Sequence, residues 1–499
     1  MEPLGTITKY YPFIDDESKS ILNSLMDESS SYYDFVQRLF ATVLENEVPI
    51  NLAYLAAVQA WWCRLKEAID HIQERYSDIA FIRPWGHPHT SSLSDQVRYH
   101  DTVVREIEAT MVNSPEDWMM IELHLLHATY HWPFHGDIPS FLEPLERARN
   151  LIESNADLRC FESLIFTFGA WIKSREGDPN GALIDAHRGQ KLAEIYDDSL
   201  YMYMSLSSQA DSLRVINIQE SIAKYEELYD LVQDMKVPYF LAETLNDSAL
   251  ALEAAGEYDL AIASHLEGIK IWGGGDTAFL ILSRIYATLD NGLLALEWID
   301  RAFEYVGHLE FPVLYLRKAW ALALCEQIDD AERSLSTAHS MIMKTGSEVW
   351  LGDYYHISGV VELKRKNLQA AQDFFEQAYE IAERNPRVLN QNAALLGLAR
   401  VETVLSGQSR ESKMNVTPGK WLSRLERYAS ERSLTGIRMY TALLKSEFYQ
   451  VHEQLKDAQT TLMDALTISD SLGVKTLRKM INDRIQELNR LLREEEMAS

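Results

Sequence analysis

The sequence predicts an all-α protein built from repeated helical hairpins. Apolar residues recur at intervals of three and four positions along most of the chain, as at Ile262, Leu266 and Ile269, whereas runs that alternate apolar and polar residues are rare. The 14 Pro and 22 Gly residues lie mostly between these periodic segments. Small residues also recur at a fixed spacing, as expected where helices cross closely.

The spacing of the small residues defines a repeat register. A small residue is followed by a second one twelve positions later and by a third one seven positions beyond that. Four consecutive segments share this pattern: Ala249, Ala261, Gly268; Ser283, Ala295, Ala302; Ala319, Ala331, Ala338; and Gly359, Ala371, Ala378. Small side chains at a crossing allow two antiparallel helices to approach to about 8–10 Å. Each segment is therefore predicted to form one hairpin.

Short turn sequences separate the two helices of a hairpin, for example at Gly256-Glu257 and at Lys366-Asn367. Together with the small residues, these turns make residues 239–386 resemble the tetratricopeptide repeat (TPR). The resemblance implies a right-handed α-solenoid in which the first helix of each hairpin lines a concave surface. In that family the surface holds an extended segment or a helix of a partner protein.

The register weakens on both sides of this region. Upstream, Ala170, Ala182 and Gly189 keep the spacing. Downstream, Ala458 and Ala465 keep the second-helix pair, but Ala442 lies sixteen residues before Ala458, so we expect a longer first helix there. The predicted organisation is a helical N-terminal extension (1–115), degenerate repeats (116–238), well-matched repeats (239–386), distorted repeats (387–473) with a loop (406–418), and a capping helix (474–499).

Within the N-terminal extension, periodicity predicts helices over residues 32–46, 51–76 and 95–112. Two prolines interrupt the pattern between the last two, so residues 79–94 are predicted to form a loop.

Composition and charge narrow the function classes. A hydrophobic content of 46% over 499 residues is typical of a folded chain. The formal net charge of −28 disfavours nucleic acid and anionic membranes as partners, and it is compatible either with solubility alone or with attraction to a basic partner. Three distant cysteines and the lack of a signal-like or membrane-spanning apolar run lead us to expect a cytoplasmic protein.

Histidines form the most suggestive cluster for chemistry. His124, His127 and His131 share one helix face, and neutral imidazoles are good zinc ligands, with His135 or Asp137 as further candidates. The competing interpretation is that these histidines pack within a repeat. Because no metal, phosphate-loop or nucleophile signature accompanies them, we expect no metal, no cofactor and no catalytic residue.

Transferring the inward-facing positions of the family by register gives the predicted binding residues. They are Asn246, Leu250, Leu280, Arg284, Leu316, Trp320, His356 and Val360. Some family members bind a carboxylate with a clamp of Lys, Arg and Asn side chains, and this set contains too few of them for such a clamp. The composition of the set therefore favours a partner with hydrophobic anchors. Trp320 is a candidate central contact, because aromatic residues dominate interface hot spots. The alternative is that the superhelix is tightly wound and these side chains form its own core.

The resemblance implies a non-enzymatic scaffold or adaptor that binds a protein or peptide. A ligand- or peptide-sensing regulatory module is the second hypothesis, and a metal-dependent enzyme that uses residues 124–135 is the third. The oligomeric state is not predicted.

Overall fold

The computed structural model describes residues 5–65, 68, 71–72, 75, 116–135, 138–273, 276–306, 312–345, 348–384, 388–408, 417–472 and 475–498. Every regular element in these residues is helical. By contacts, the chain divides into two compact units. The first comprises Met1–Ile216 and Ala223–Thr244, and the second comprises Asn217–Ile222 and Leu245–Ser499. The prediction of an all-α fold of stacked helical hairpins is confirmed, while its handedness, the capping helix and the five-part division stay predictions.

The helices before the boundary region are numbered in chain order. They are α1 (Gly5–Thr8), α2 (Asp16–Glu28), α3 (Tyr32–Glu45), α4 (Ile50–Trp62), α5 (Asp117–His135), α6 (Ile138–Ser154), α7 (Glu162–Arg175), α8 (Pro179–Ile195), α9 (Ser199–Ile216), α10 (Ile218–Met235) and α11 (Pro238–Ala255). Short 3-10 helices lie at Tyr11–Phe13 and Ala156–Phe161.

The remaining helices belong to the second unit. They are α12 (Tyr258–Trp272), α13 (Asp276–Thr288), α14 (Gly292–Val306), α15 (Pro312–Leu324), α16 (Ile328–Thr345), α17 (Glu348–Lys364), α18 (Leu368–Arg384), α19 (Val388–Gln408), α20 (Lys420–Glu431), α21 (Thr435–Val451), α22 (Leu455–Leu472) and α23 (Lys475–Ala498). Within this unit, consecutive helices pack against each other, so that the hairpins stack in chain order.

Several sequence-based boundaries change. The helix predicted over residues 51–76 is interrupted after Trp62, because Arg64 adopts a left-handed conformation with φ 59° and the amide of Leu65 donates back to the carbonyl of Ala60. The predicted loop 406–418 starts later, since α19 continues to Gln408. Its residues 409–416 lie outside the described residues, as do the predicted helix 95–112 and the predicted loop 79–94.

The hairpin turns share one backbone geometry. Seven residues after the first small residue, the chain takes a positive φ, and the next amide donates to the carbonyl five residues earlier, which ends the helix. The residues with positive φ at this position are Gly177, Gly256, Asp290, Glu326, Lys366 and Glu453. Both turns predicted from the sequence are among them.

This geometry corrects the register of the hairpin formed by α21 and α22. Glu453 lies seven residues after Ser446, and Ser446 lies twelve residues before Ala458. The Ser446 hydroxyl donates to the Ala458 carbonyl at 3.0 Å, as the Ser283 hydroxyl does to the Ala295 carbonyl at 2.8 Å. Ser446 rather than Ala442 therefore occupies the crossing position, and the expected longer first helix is wrong.

In the distorted repeat, α20 is capped by the preceding helix. Gly419 at its N-cap position has no side chain to accept a hydrogen bond, and the carboxylate of Glu402 on α19 accepts the amides of Trp421 at 3.1 Å and Leu422 at 2.9 Å. A carboxylate at this end of a helix also opposes the positive end of the helix dipole.

The N-terminal segment is anchored in the first unit by a buried ion pair. Lys9 Nζ lies 2.6 Å from Asp198 Oδ2, and both side chains are fully buried. The Thr6 hydroxyl donates to the other carboxylate oxygen of Asp198 at 3.0 Å. Lys9 Nζ also lies 3.3 Å from the centroid of the Tyr201 ring.

A second carboxyl lies beside this pair. Glu122 is fully buried, and its Oε1 accepts hydrogen bonds from the hydroxyls of Tyr10 and Tyr201. Burial raises the pKa of Glu122, while the Lys9 ammonium lowers it in part. The Lys9 ammonium therefore offsets part of the desolvation cost of burying Asp198 and Glu122.

Replacing Lys9 by Met should destabilise the first unit by about 3–5 kcal/mol, because Asp198 would remain buried without its cation. Urea unfolding monitored by Trp fluorescence measures the loss. Lys19→Met is the matched control, since the Lys19–Asp16 pair is exposed and should change stability by less than about 1 kcal/mol. Equal effects of the two substitutions would contradict a stabilising role for the buried pair.

In the second unit, the Phe375 ring on α18 fits between two glycines. A Cβ atom built on Gly397 of α19 would lie 2.5 Å from Phe375 Cε1, and one built on Gly359 of α17 would lie 2.7 Å from the same atom. Gly397→Ala should therefore lower stability by about 1–3 kcal/mol through overpacking, although Ala favours a helix by about 1 kcal/mol.

The double substitution Gly397→Ala with Phe375→Leu tests the cause. The smaller side chain makes room for the new methyl group, so the double variant should lose less stability than the sum of the single losses in thermal unfolding. Additive losses would show that the Phe375 ring is not what excludes a side chain at position 397.

Candidate functional site

The predicted binding residues lie on the first helices of four successive hairpins, α11, α13, α15 and α17. We call the side chains at these positions, together with Glu253, Arg317 and Asp353, the first-helix strip. All of them belong to the second unit. Their exposure differs: Leu316 is fully buried, Trp320 and His356 are 7% and 9% exposed, and Asn246, Leu250, Leu280, Arg284 and Val360 are half-buried.

Two ion pairs connect consecutive first helices. Arg284 on α13 donates to both carboxylate oxygens of Glu253 on α11, at 2.7 and 2.5 Å. Arg317 on α15 donates to Asp353 on α17 at 2.9 Å. Glu253 and Arg317, one member of each pair, are 3% and 5% exposed. Each of these two charges is therefore compensated by its ion-pair partner rather than by water.

Arg284 is among the binding residues predicted from the sequence, whereas Arg317 and Asp353 are not. The spacing of opposite charges in the sequence could have indicated these two ion pairs, since their partners lie 31 and 36 residues apart, close to one repeat length. Burial lowers the pKa of the Arg317 guanidinium, and Asp353 raises it in part.

Trp320 and His356 form an aromatic contact next to the second ion pair. Their ring centroids are 5.1 Å apart with an interplanar angle of 77°, and the His356 ring is 5.5 Å from that of Phe375. Arg317 Cζ lies 5.8 Å from the centroid of the Trp320 ring. The indole and the imidazole are therefore held by neighbours on three helices.

The imidazole of His356 is buried without a hydrogen-bond partner for either nitrogen among the described residues. Burial lowers its pKa to about 4, Asp353 opposes this, and the positive charges of Arg317 and Arg400 add to it. The ring is therefore neutral near pH 7 and offers one N–H donor and one acceptor nitrogen. Buried polar atoms without partners are rare in native structures.

Asn246 is already used within its own hairpin. Its Oδ1 lies 2.9 Å from Nδ1 of His265 on α12, so Nδ1 carries the proton and donates. His265 is fully buried, and burial lowers its pKa to about 3. The half-buried apolar members of the strip, Leu250, Leu280 and Val360, pack at the edges of three hydrophobic clusters, whereas Leu316 and Trp320 lie inside one.

The other candidates for chemistry give no site in the described part of the chain. His124 is buried on α5, and the side chains of His127, His131 and His135 lie outside the described residues, as does Asp137, so the metal hypothesis stays untested. No group of three potential metal ligands occurs among the residues that are described. Burial raises the pKa of the Cys160 thiol to about 12 and that of Cys63 still further, which disfavours a reactive thiolate.

No described helix is long and apolar enough to span a membrane.

No family model matches the sequence, and no curated protein is similar to it. Among solved structures, the chain is similar to Rap protein complexed with competence and sporulation factor (13% identity, TM-score 0.40), over 67% of this chain and 99% of that one. It is also similar to yeast Tom70 (12% identity, TM-score 0.35), over 80% of this chain and 94% of that one.

Acid should destabilise the second unit through His265 and His356, two of its buried histidines. The pKa of each is lower in the folded chain than the ordinary value of 6.5, so their contribution is complete above pH 6.5 and is lost as the pH falls toward 4. We expect His356→Leu to flatten the pH dependence of the unfolding free energy in this window by on the order of 2–3 kcal/mol.

The control is His187→Leu, because His187 is exposed on α8. This variant should keep the slope of the wild type in denaturant titrations at pH 4 to 7. An unchanged slope in His356→Leu would show that His356 is not a buried neutral imidazole.

Proposed function

We propose that the protein is a non-enzymatic scaffold or adaptor that binds a segment of a partner protein along the first-helix strip. The observation that carries this proposal is His356, a neutral imidazole that is 9% exposed and has no partner for either nitrogen among the described residues. A peptide group offers one N–H and one C=O, which matches the donor and the acceptor of this ring.

The chemistry of the strip indicates the kind of segment that it binds. Within each of its two ion pairs the charges compensate each other, so the strip itself is nearly neutral. Leu250, Leu280 and Val360 supply half-buried apolar surface on three of its helices. A segment with apolar anchors, contacted through its main chain at His356 and through a side chain near Trp320, fits this surface.

The net charge of the whole chain acts at longer range. A formal charge of −28 attracts a partner with basic residues outside the bound segment and raises the rate of encounter. Dissociation, which breaks paired charges and apolar contacts, should depend little on salt, whereas the association rate should fall as salt is added.

The test starts with affinity purification from the native cell, followed by crosslinking to map the bound segment. The synthetic segment is then titrated by calorimetry against the wild type and His356→Leu. We expect at least a tenfold weaker affinity for the variant, because the amide of the segment would be buried without its hydrogen bonds.

His339→Leu is the matched control, since His339 is half-buried on α16, the second helix of its hairpin. It should bind like the wild type. Equal affinities of wild type and His356→Leu, or crosslinks confined to the first unit, would refute binding at the first-helix strip.

A further inference from the structure

Hairpins far apart in sequence meet within the second unit. The Asn392 side-chain amide on α19 donates to the Ala254 carbonyl on α11 at 3.2 Å, across 138 residues. The ring of Tyr258 on α12 meets that of Tyr440 on α21, with centroids 5.4 Å apart. We call this contact between the first hairpin of the unit and the two hairpins that begin with α19 and α21 the seam; it is formed by Ala254, Gly256, Tyr258, Asn392, Gly436 and Tyr440.

Two glycines bring main chains together at the centre of the seam. A Cβ atom built on Gly256 would lie 2.6 Å from the carbonyl carbon of Gly436, and a Cβ atom built on Gly436 would be closer still to the main chain of Gly256. Main-chain atoms cannot move aside as the end of a flexible side chain can, so this contact requires glycine on both sides.

The seam combines apolar packing, in which Tyr440 contacts the cluster of Tyr258, with buried polar atoms that have no partner among the described residues. In a simple solenoid each repeat contacts only its neighbours, so this contact is an addition to the stack rather than part of it. The Tyr440 hydroxyl and the Asn392 Oδ1 are buried there without partners among the described residues, and each such atom costs about 1–3 kcal/mol.

Apart from its three members on α11, the first-helix strip lies between the two sides of the seam in the sequence. Helices α13, α15 and α17 lie in the chain between the hairpin of Gly256 and the hairpins of Asn392 and Gly436, so the seam joins the two ends of the stretch that carries Arg284, Trp320 and His356. We propose that the seam is a gate, which opens to admit the partner segment to the strip and closes when the strip is empty. This proposal rests on the proposed function of the strip.

The first test needs no partner. Diethyl pyrocarbonate modifies neutral imidazoles, and mass spectrometry gives the rate at each histidine in the full chain near pH 7. In Gly436→Ala the new methyl group meets the main chain of Gly256, while Ala favours helix α21. We expect at least a fivefold faster modification of His356 than in the wild type.

Two other histidines serve as internal references. His339 should react at the same rate in both proteins. His265 is fully buried within its own hairpin, where it contacts Asn246, so it should stay protected if the seam opens and react if the unit unfolds. A rate at His356 that does not change, or that rises together with the rate at His265, would overturn the gate.

Asn392→Ala is the second variant, in case Gly436→Ala does not fold. It removes the hydrogen bond to Ala254 without adding bulk, and it should also accelerate modification of His356. The outcomes separate the two proposals. If His356 is modified faster in the seam variants but His356→Leu binds the segment as tightly as the wild type, only the proposed function of the strip is refuted. If the rate of modification of His356 does not change, the gate is refuted, whatever the strip binds.

Discussion

The close crossing of two helices within each hairpin is the constraint on which the rest of the structure depends. At these crossings a small residue faces a neighbouring main chain or ring, as Ser283 faces Ala295 and Gly359 faces Phe375. A larger side chain would separate the helix axes and move the next hairpin, because each hairpin is placed by the one before it. The positions of the first-helix side chains follow from this stacking.

Charges inside the described fold are buried in pairs that join different elements. Lys9 pairs with Asp198 in the first unit, and Arg284 and Arg317 pair with carboxylates on neighbouring first helices in the second. A buried pair gains little net energy, but loss of one partner leaves an uncompensated charge. Such pairs therefore fix which side chains face each other more than they add to stability.

His356 differs from these groups because its nitrogens have no such partner among the described residues. The neighbouring Trp320 and Phe375 rings hold the imidazole in place, and burial keeps it neutral. A rigid neutral donor and acceptor loses little entropy when it binds a peptide group. In our two proposals, opening of the seam gives the partner segment access to this ring.

The helical class, the repeat register over residues 239–386 and the turns at Gly256 and Lys366 were predictable from the sequence, because they depend on local periodicity and on residues a fixed distance apart. The sequence did not identify Ser446 as a crossing residue, because Ala442 is a second small residue one turn earlier on the same helix, and only the contact of the Ser446 hydroxyl with the Ala458 carbonyl distinguishes the two. The pairing of the charges, the burial of Leu316 and the contact of Asn392 with Ala254 became known from the three-dimensional arrangement of the helices. Contacts across 138 residues follow no period in the sequence, because they arise from the summed rotation of every hairpin between them.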